Sequence, residues 1–118
     1  MDIIRIDRSA LPSPLMARAV VGGGLARMCF TPADPAPTLA GQVAQVFARL
    51  DEYLAKSGAS RSSLLTAEVW LRNVEDYDAF VAMWNAWVDP ASPPAFAFSQ
   101  AQLGRDSVLV EIKVIAAA

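Results

Sequence analysis

Residues 64–71, Leu-Leu-Thr-Ala-Glu-Val-Trp-Leu, are the stretch that decides the fold. Their side chains alternate in character with the period of two that is typical of a β-strand. One set of alternate positions is apolar and suits packing against helices: Leu65, Ala67, Val69 and Leu71. The other set mixes polar, charged and aromatic groups: Leu64, Thr66, Glu68 and Trp70. The stretch therefore predicts a strand with helices on one face and a second face that is neither plain core nor plain solvent.

A helix is predicted on each side of this strand. Thr38 can cap the first helix, which Ser57 and Gly58 end. Its apolar stripe comprises Leu39, Val43, Val46, Phe47, Leu50 and Leu54. Its opposite face is interpreted as solvated and carries Gln42, Gln45, Arg49, Glu52 and Lys56. The second helix is predicted over residues 75–88 with Asn73 as its cap, and its Trp84 and Trp87 are interpreted as core or interface residues.

Further strands are predicted at both ends of the chain. Residues 2–7 alternate isoleucine with charged residues, which predicts a short strand at a sheet edge. Residues 15–21 and 26–31 flank three glycines and predict a hairpin, since no phosphate-binding glycine motif is present. Residues 95–102 and 108–116 are predicted to form a terminal hairpin through a turn at Gly104-Arg105-Asp106. The element order is then βββαβαββ.

This order predicts an α+β fold, with two helices on one face of a mixed six-stranded sheet. The other face is expected to carry Trp70, Phe96 and Phe98 beside Glu68, Gln100 and Glu111. Such a face needs to be buried some other way, so we expect it to pack against other subunits, with polar groups lining clefts between them. Glu111 is the one carboxylate inside an otherwise apolar strand, where a glutamate is usually solvated or paired with a cation.

Composition limits the kinds of chemistry that are open to this chain. Its 118 residues predict one domain over 1–118, and 54% of them are hydrophobic, which favours association with partner subunits. The sequence has no histidine, which excludes Ser-His-Asp triads and HExxH zinc sites. Cys29 is the single cysteine, so an intramolecular disulfide and a CxxC pair are excluded as well. The composition thus excludes imidazole-based catalysis and cysteine-pair metal or redox sites.

Charge and hydropathy indicate the expected partners and compartment. The formal net charge is −2 and the sequence pI is about 4.9, so we expect no nucleic-acid partner. No apolar run approaches the length of about 18 residues needed to span a membrane, so no membrane partner is expected. The N-terminus is too charged for a signal peptide, which makes the cytoplasm the expected compartment.

The whole chain resembles the RidA/YjgF family of reactive-intermediate deaminases, also called endoribonuclease L-PSP proteins. The resemblance rests on the order and spacing of landmarks along the chain. These landmarks are residues 3–7, 42–51, 58–60, 64–72, 77–80, 84–88, 93–95 and 110–114. It implies a chorismate-mutase-like fold and a homotrimer with three small-molecule clefts between subunits. It also implies hydrolysis of 2-imino acids, or of their enamine tautomers, to 2-oxo acids and ammonia, with no metal and no cofactor.

The residues that carry this chemistry in active family members have largely changed here. Family members hold the substrate carboxylate with an arginine directly after a Pro-Ala pair, and here Phe96 follows Pro94-Ala95. Phe98 stands at the family's cysteine position, Gln100 at its next acidic position and Val81 at its helix asparagine. Thr31-Pro32 replaces a Ser/Thr-Gly pair, and Pro32 lacks the backbone N–H donor. Glu111 alone remains of the usual polar set, and it is the candidate catalytic residue. The resemblance therefore places Phe96, Phe98, Gln100, Thr31, Arg18 and Glu111 at the ligand cleft.

Three functions remain open at this point. The first is a divergent member with altered or lost deaminase activity, whose apolar cleft takes a neutral or cationic ligand through Glu111. The second is an active deaminase with a substitute cation, for which Arg18 or a residue of a neighbouring subunit is the candidate. The third is a non-catalytic protein-interaction trimer whose cleft is filled by Phe96 and Phe98. RNA cleavage is disfavoured by the acidic pI and the absence of histidine.

Overall fold

The computed structural model describes residues 2–34 and 36–118 and contains the elements that the sequence predicts, in the same order. The strands are β1 (Ile4–Arg8), β2 (Ala17–Gly22), β3 (Leu25–Phe30), β4 (Leu64–Leu71), β5 (Ala95–Gln100) and β6 (Val110–Ala117). The helices are α1 (Leu39–Lys56) and α2 (Tyr77–Trp87), with short 3₁₀ turns at Arg61–Ser63 and Val74–Asp76. The predicted α+β class and βββαβαββ order are thus confirmed.

The six strands form one mixed sheet in the order β1-β2-β3-β6-β4-β5. All neighbouring pairs are antiparallel except β4 and β5, which run parallel. Both helices pack on one face, and the chain forms a slab of 43 × 41 × 20 Å. Within the described residues no second layer covers the opposite face, which we call the open face.

The predicted terminal hairpin is wrong, because β5 and β6 are not neighbours. The strand β4 lies between them, pairing with β5 on one side and with β6 on the other. The side chain of Arg72, at the end of β4, fixes this path by donating to three carbonyl oxygens of the connection: Nε to Val108 O at 2.9 Å, and Nη2 to Leu103 O at 3.0 Å and to Arg105 O at 2.7 Å. The connection is thus attached to the end of β4, and β6 returns along the free side of that strand.

The predicted first hairpin and first helix are confirmed. Gly22 pairs with Leu25, and the two residues between them, Gly23 and Gly24, have φ values of 62° and 77°. This left-handed conformation is open to glycine without steric cost, and it suits a two-residue hairpin turn. Thr38 caps α1 by accepting a hydrogen bond from Gly41 N at 3.1 Å.

The second helix begins later than the sequence predicts. Residues 74–76 form a 3₁₀ turn, and α2 runs from Tyr77 to Trp87. Asn73 makes no side-chain capping bond, so its predicted role as the cap is wrong. Trp84 and Trp87 are buried against Phe47 of α1, which confirms that they are core residues.

A β-bulge reverses the predicted faces at the start of β4. The ladder with β6 shifts between Leu64 and Thr66, so Leu64 is buried while Leu65 is 46% exposed. The extra residue interrupts the alternation, so Leu64, before the bulge, lies on the face opposite to the predicted one. The remaining alternation agrees with the prediction, since Ala67, Val69 and Leu71 are buried against the helices.

Gln42 is another correction, because the face of α1 that carries it is not fully solvated. Gln42 is 1% exposed, and its amide Nε2 donates to Ala36 O at 2.8 Å and to Ser107 O at 2.7 Å. Its Oε1 accepts a hydrogen bond from Leu109 N at 2.7 Å. A buried amide with three partners joins the start of α1 to the segment that leads into β6.

Candidate functional site

Glu111 lies near the middle of the open face, on the central strand β6. Its direct partner on β4 is Trp70, and both side chains are half-buried. The neighbours of Glu111 along β6, Val110 and Ile112, are fully buried on the helix side. Alternation along β6 therefore aims the Glu111 carboxylate away from the helices, next to an indole ring.

Cys29 of β3 contacts this carboxylate from the other side. Its Sγ lies 3.0 Å from Glu111 Oε2, so the thiol donates a hydrogen bond to the carboxylate. Desolvation, followed by the hydrogen bond to Glu111 and the charge of that carboxylate, raises the pKa of Cys29 to about 12. A thiolate at this place would lose water and face a negative charge, so the thiol stays protonated at neutral pH. In this protonated form it donates the hydrogen bond to Glu111.

Charges are segregated across the open face. Strands β1, β2 and β3 contribute Arg5, Arg18 and Arg27. Arg5 and Arg27 both pair with Val20, and Arg18 precedes the buried Ala19. The central strands carry Glu68 on β4 and Glu111 and Lys113 on β6. The three ion pairs found in residues 2–34 and 36–118 lie elsewhere: Lys56–Asp7, Lys56–Glu52 and Arg61–Asp51. The face thus has a basic side and a side that carries both its carboxylates.

The predicted position of Phe96 and Phe98 on the open face is wrong. In the parallel ladder Phe96 is the partner of Ala67 and Phe98 that of Val69, both of which face the helices. The Phe96 ring lies 5.5 Å from Trp84, and the Phe98 ring lies 4.6 Å from Tyr77. The parallel pairing of β5 with β4 sets this orientation. The two phenylalanines therefore extend the helix-side core and do not fill a cleft on the open face.

Gln100 shares that orientation, so its expected place on the open face is wrong as well. It is the partner of Leu71, and its Nε2 donates to Arg72 O at 3.1 Å. The positions of β5 that alternate with these three are Ala95, Ala97 and Ser99, which carry little chemistry. The strand β5 thus brings none of its predicted site residues beside Glu111.

Thr31 and Arg18 both lie near the helix α1. Thr31 follows Phe30, whose ladder partner Ile112 is next to Glu111, and its carbonyl oxygen accepts from Arg49 Nη1 at 3.2 Å. Arg18 is half-buried on β2, and its charge helps to lower the pKa values of both Asp7 and Arg49. Arg18 is therefore close to the residues around α1.

Surface grooves lie away from Glu111. One of about 360 Å³ is lined at the β1–β2 edge by Arg5, Arg8, Ser9, Leu15, Met16, Ala17 and Val20. Another of about 360 Å³ lies between α1 and α2 and includes Phe47, Arg61 and Trp87. In the single chain, Glu111 thus lies on an open sheet surface and lines neither of these grooves.

Comparison with known proteins identifies the family. The sequence profile described as endoribonuclease L-PSP matches residues 27–118. The RutC family protein YoaB of Escherichia coli K12 is 32% identical over 117 residues, which cover 99% of each chain. The chain belongs to the RidA/YjgF family. A RutC family protein of Haemophilus influenzae is 39% identical over 75 residues, 64% of this chain and 65% of that relative.

Solved structures agree with this membership in the RidA/YjgF family. A YjgF family protein from Neisseria meningitidis superimposes with a TM-score of 0.89 at 34% identity, covering 99% of this chain and 95% of that one. A putative translation initiation inhibitor from Salmonella typhimurium gives a TM-score of 0.85 at 29% identity, with 99% and 98% covered. The fold implied by the sequence resemblance is therefore confirmed along the whole chain.

The sequence reading of this RidA/YjgF member missed Cys29 and Lys113 as neighbours of Glu111. A signal was present, because Cys29 alternates with the buried Met28 and Phe30 and so points to the open face. What the sequence did not reveal is that β3 is the neighbour of β6, which places Cys29 opposite Lys113 and diagonal to Glu111. Strand order is a long-range property that alternation within one strand does not encode.

In the part of the chain that the structure describes, no group of three or more His, Cys, Asp or Glu side chains could hold a metal ion. None of the helices within that part is long and apolar enough to cross a bilayer.

Proposed function

We propose that this RidA/YjgF-family chain is a homotrimeric small-molecule-binding protein with altered or lost 2-imino acid deaminase activity. Its ligand clefts lie between subunits, and Glu111 is their polar anchor. The proposal rests mainly on the residue that follows Pro94-Ala95. This residue is Phe96, whose ring packs on Trp84 with the ring centroids 5.5 Å apart. A position that binds substrate carboxylates in active relatives is here part of the apolar packing.

The energetic argument concerns the substrate carboxylate. A bidentate arginine replaces the water that a carboxylate loses when it enters a cleft. Without this partner the buried charge remains uncompensated, which costs several kcal/mol. At the start of β5 the side chains beside Phe96 are Ala95 and Ala97, neither of which can supply a cation. A 2-imino acid is therefore expected to bind weakly.

The open face supports the trimer. It holds half-buried apolar side chains, Trp70 and Ile115 among them, beside the segregated charges. In a closed ring each subunit presents one side of its face to a different side of the next one. The basic side of one copy, with Arg5 and Arg27, would then meet the side of the next copy that carries Glu68 and Glu111. The family's assembly and this charge pattern favour the same arrangement.

The ligand class follows from the groups around Glu111. A carboxylate accepts hydrogen bonds, so it selects a ligand with N–H or O–H donors or with a positive charge. Trp70 adjoins it and offers an aromatic surface. We propose a neutral or cationic amine-like or imine-like compound with an apolar part, bound without metal or cofactor.

An imine-hydrolysis assay tests this proposal. An amino-acid oxidase generates a 2-imino acid in the presence of semicarbazide, and an active RidA/YjgF protein suppresses semicarbazone formation. We expect the wild-type chain to give little suppression while an active family member, run as the control, suppresses it strongly. Suppression by the wild type equal to that control would contradict the proposed loss. F96R, run beside the wild type, separates the loss of one anchoring side chain, if activity appears, from a wholly changed cleft.

An active deaminase with a substitute cation is the second candidate, because Lys113 lies on the open face opposite Cys29. Its ammonium is close enough to act on the Cys29 thiol, whose pKa it lowers against the larger raising effects. In that reaction the water oxygen adds to the imine carbon, the C–N bond breaks, and the nitrogen leaves as ammonia with both protons of the water. Loss of wild-type suppression in K113M, with R18Q unchanged, would favour Lys113 over Arg18.

A further inference from the structure

We propose that Cys29 is a positioning residue that fixes the Glu111 carboxylate so that one of its oxygens faces the ligand. The inference rests on the proposed function, since it assigns Glu111 the role of anchor. Cys29 Sγ lies 3.0 Å from Oε2 of Glu111, and Oε1 has no hydrogen-bond partner among residues 2–34 and 36–118. One oxygen is thus held by the protein and the other is available.

The two residues lie on strands that are paired without interruption. Six consecutive residue pairs join β3 to β6, from Leu25 with Ala117 to Phe30 with Ile112. Cys29 is the partner of Lys113, so Glu111 is its diagonal neighbour, at a spacing of about 7–8 Å between backbones. The Glu111 side chain spans that distance to reach Sγ. The hydrogen bond therefore selects one conformer of an otherwise flexible side chain.

The chemistry of the thiol suits a donor. It remains protonated at neutral pH, because desolvation and the Glu111 carboxylate both oppose the thiolate. The other charged groups beside the pair on the open face are Lys113 on β6, Glu68 on β4 and Arg27 on β3. A thiol at this place has no second cysteine with which to form a disulfide. The contacts of the Cys29 thiol are therefore consistent with a role in holding the Glu111 carboxylate.

Titration of the thiol tests the hydrogen bond without any ligand. We expect the ¹³Cβ signal of labelled Cys29 to show no ionisation below pH 10 in the wild type, in line with a pKa of about 12. E111Q removes the charged acceptor and should lower that pKa by at least about one unit. E68Q, the matched control, removes an equal charge that does not contact the thiol, and should shift it far less. A wild-type thiol that titrates near pH 9, or equal shifts in E111Q and E68Q, would overturn the proposal.

Binding of benzylamine, a cation with an aromatic ring, tests the positioning role. We expect C29A to weaken benzylamine binding about 10-fold, as loss of a hydrogen bond to a charged group does. C29S keeps a donor and should bind within about 3-fold of the wild type. A48S, on the exposed side of α1, is the control for a small substitution away from the proposed cleft. Equal binding by C29A and the wild type would contradict a positioning role.

Crystal structures separate this inference from the proposed function. If the wild type does not bind benzylamine, the proposed ligand class is wrong, but the conformation of Glu111 still tests the role of Cys29. We expect one Glu111 conformer in the wild type and in C29S, with Oε2 within hydrogen-bond reach of residue 29, and several conformers in C29A. A single, unchanged conformer in C29A would overturn the inference whatever the ligand results are.

Discussion

The rings of Phe96 and Trp84 lie with their centroids 5.5 Å apart and their planes at 53°, on the helix side of the sheet. This tilted geometry is one that aromatic pairs favour. Phe96 is 38% exposed at the edge strand β5, while Trp84 is almost fully buried. The pair covers the outer end of the core, which extends through Phe80 and Phe47 to Trp87. In this family member the position after Pro94-Ala95 thus contributes to stability.

The Phe96–Trp84 contact should be measurable in unfolding experiments. F96A is expected to lower the free energy of unfolding by about 1 kcal/mol, since a half-exposed ring loses its aromatic partner and part of its buried area. Trp84 should become more accessible to water, with a red shift of the tryptophan emission. Urea titration followed by fluorescence measures both effects. S99A, on the other face of the same strand, is the control, and an equal loss in both variants would contradict the assignment.

Gln42 should be among the polar residues whose loss destabilises the chain most. Q42A leaves the Leu109 N–H and the Ala36 and Ser107 carbonyls without their partner, and we expect a cost of about 3 kcal/mol. Q102A changes an exposed glutamine and should cost less than about 0.5 kcal/mol. Chemical denaturation of both variants measures the difference. Equal midpoints would show that the buried amide does not connect α1 to β6 as described.

Asp7 makes the stability of the edge strand depend on acid. Its φ of 54° turns the carboxylate toward α1, where Tyr53 Oη donates to Oδ2 at 2.6 Å and Lys56 Nζ at 3.0 Å. The Tyr53 hydrogen bond, then that of Lys56, holds the pKa of Asp7 below its ordinary value of 3.8.

A lowered carboxyl pKa stabilises the fold at pH values above 3.8, and this contribution is lost as the pH falls through the folded-state value. D7N should therefore be less stable than the wild type at pH 7, and the difference should disappear toward pH 2. Thermal unfolding from pH 2 to pH 7 measures this convergence. D106N, in an exposed turn, is the control and should show no such dependence. A D7N deficit that persists unchanged at pH 2 would contradict the mechanism.

Subunit association should depend on the middle of the open face. Ile115 lies between Arg27 of β3 and Thr66 of β4, and I115D places a charge where an apolar contact between copies is proposed. Light scattering after size exclusion should give three times the chain mass of 12.6 kDa for the wild type and a smaller assembly for I115D. A48D, on the exposed side of α1, should remain like the wild type. A wild-type monomer would contradict the proposed trimer directly.

The local pattern of this sequence was enough to predict most elements. Period-two alternation gave β4 at its observed bounds, and the Thr38 cap and Gly58, with a φ of 76°, bracket α1. The three glycines predicted the first hairpin because a two-residue turn between antiparallel strands needs the left-handed conformation that glycine readily adopts. The family resemblance was equally accessible, since it depends on the order of residues alone.

Features that depend on a distant partner were predicted less well. The burial of Gln42 depends on the carbonyls of Ala36 and Ser107, and the start of β4 depends on a bulge against β6. The prediction of a terminal hairpin was wrong because two consecutive strands joined by a turn can either pair with each other or lie on opposite sides of a third strand, here β4. None of these outcomes has a signature inside a single stretch of sequence.

The candidate site shows the same division. The sequence by itself determined that the chain has no histidine or second cysteine, that Glu111 stands alone in an apolar strand, and that Phe96 follows Pro94-Ala95. Only the tertiary structure decided that β6 lies between β3 and β4, which brings Cys29 to Glu111, and that β5 runs parallel to β4, which turns Phe96 onto Trp84. The physical reason is that alternation along a strand determines which of its residues share a face. The order and direction of the strands determine whether that face meets the helices, and which residues of the neighbouring strands lie beside it.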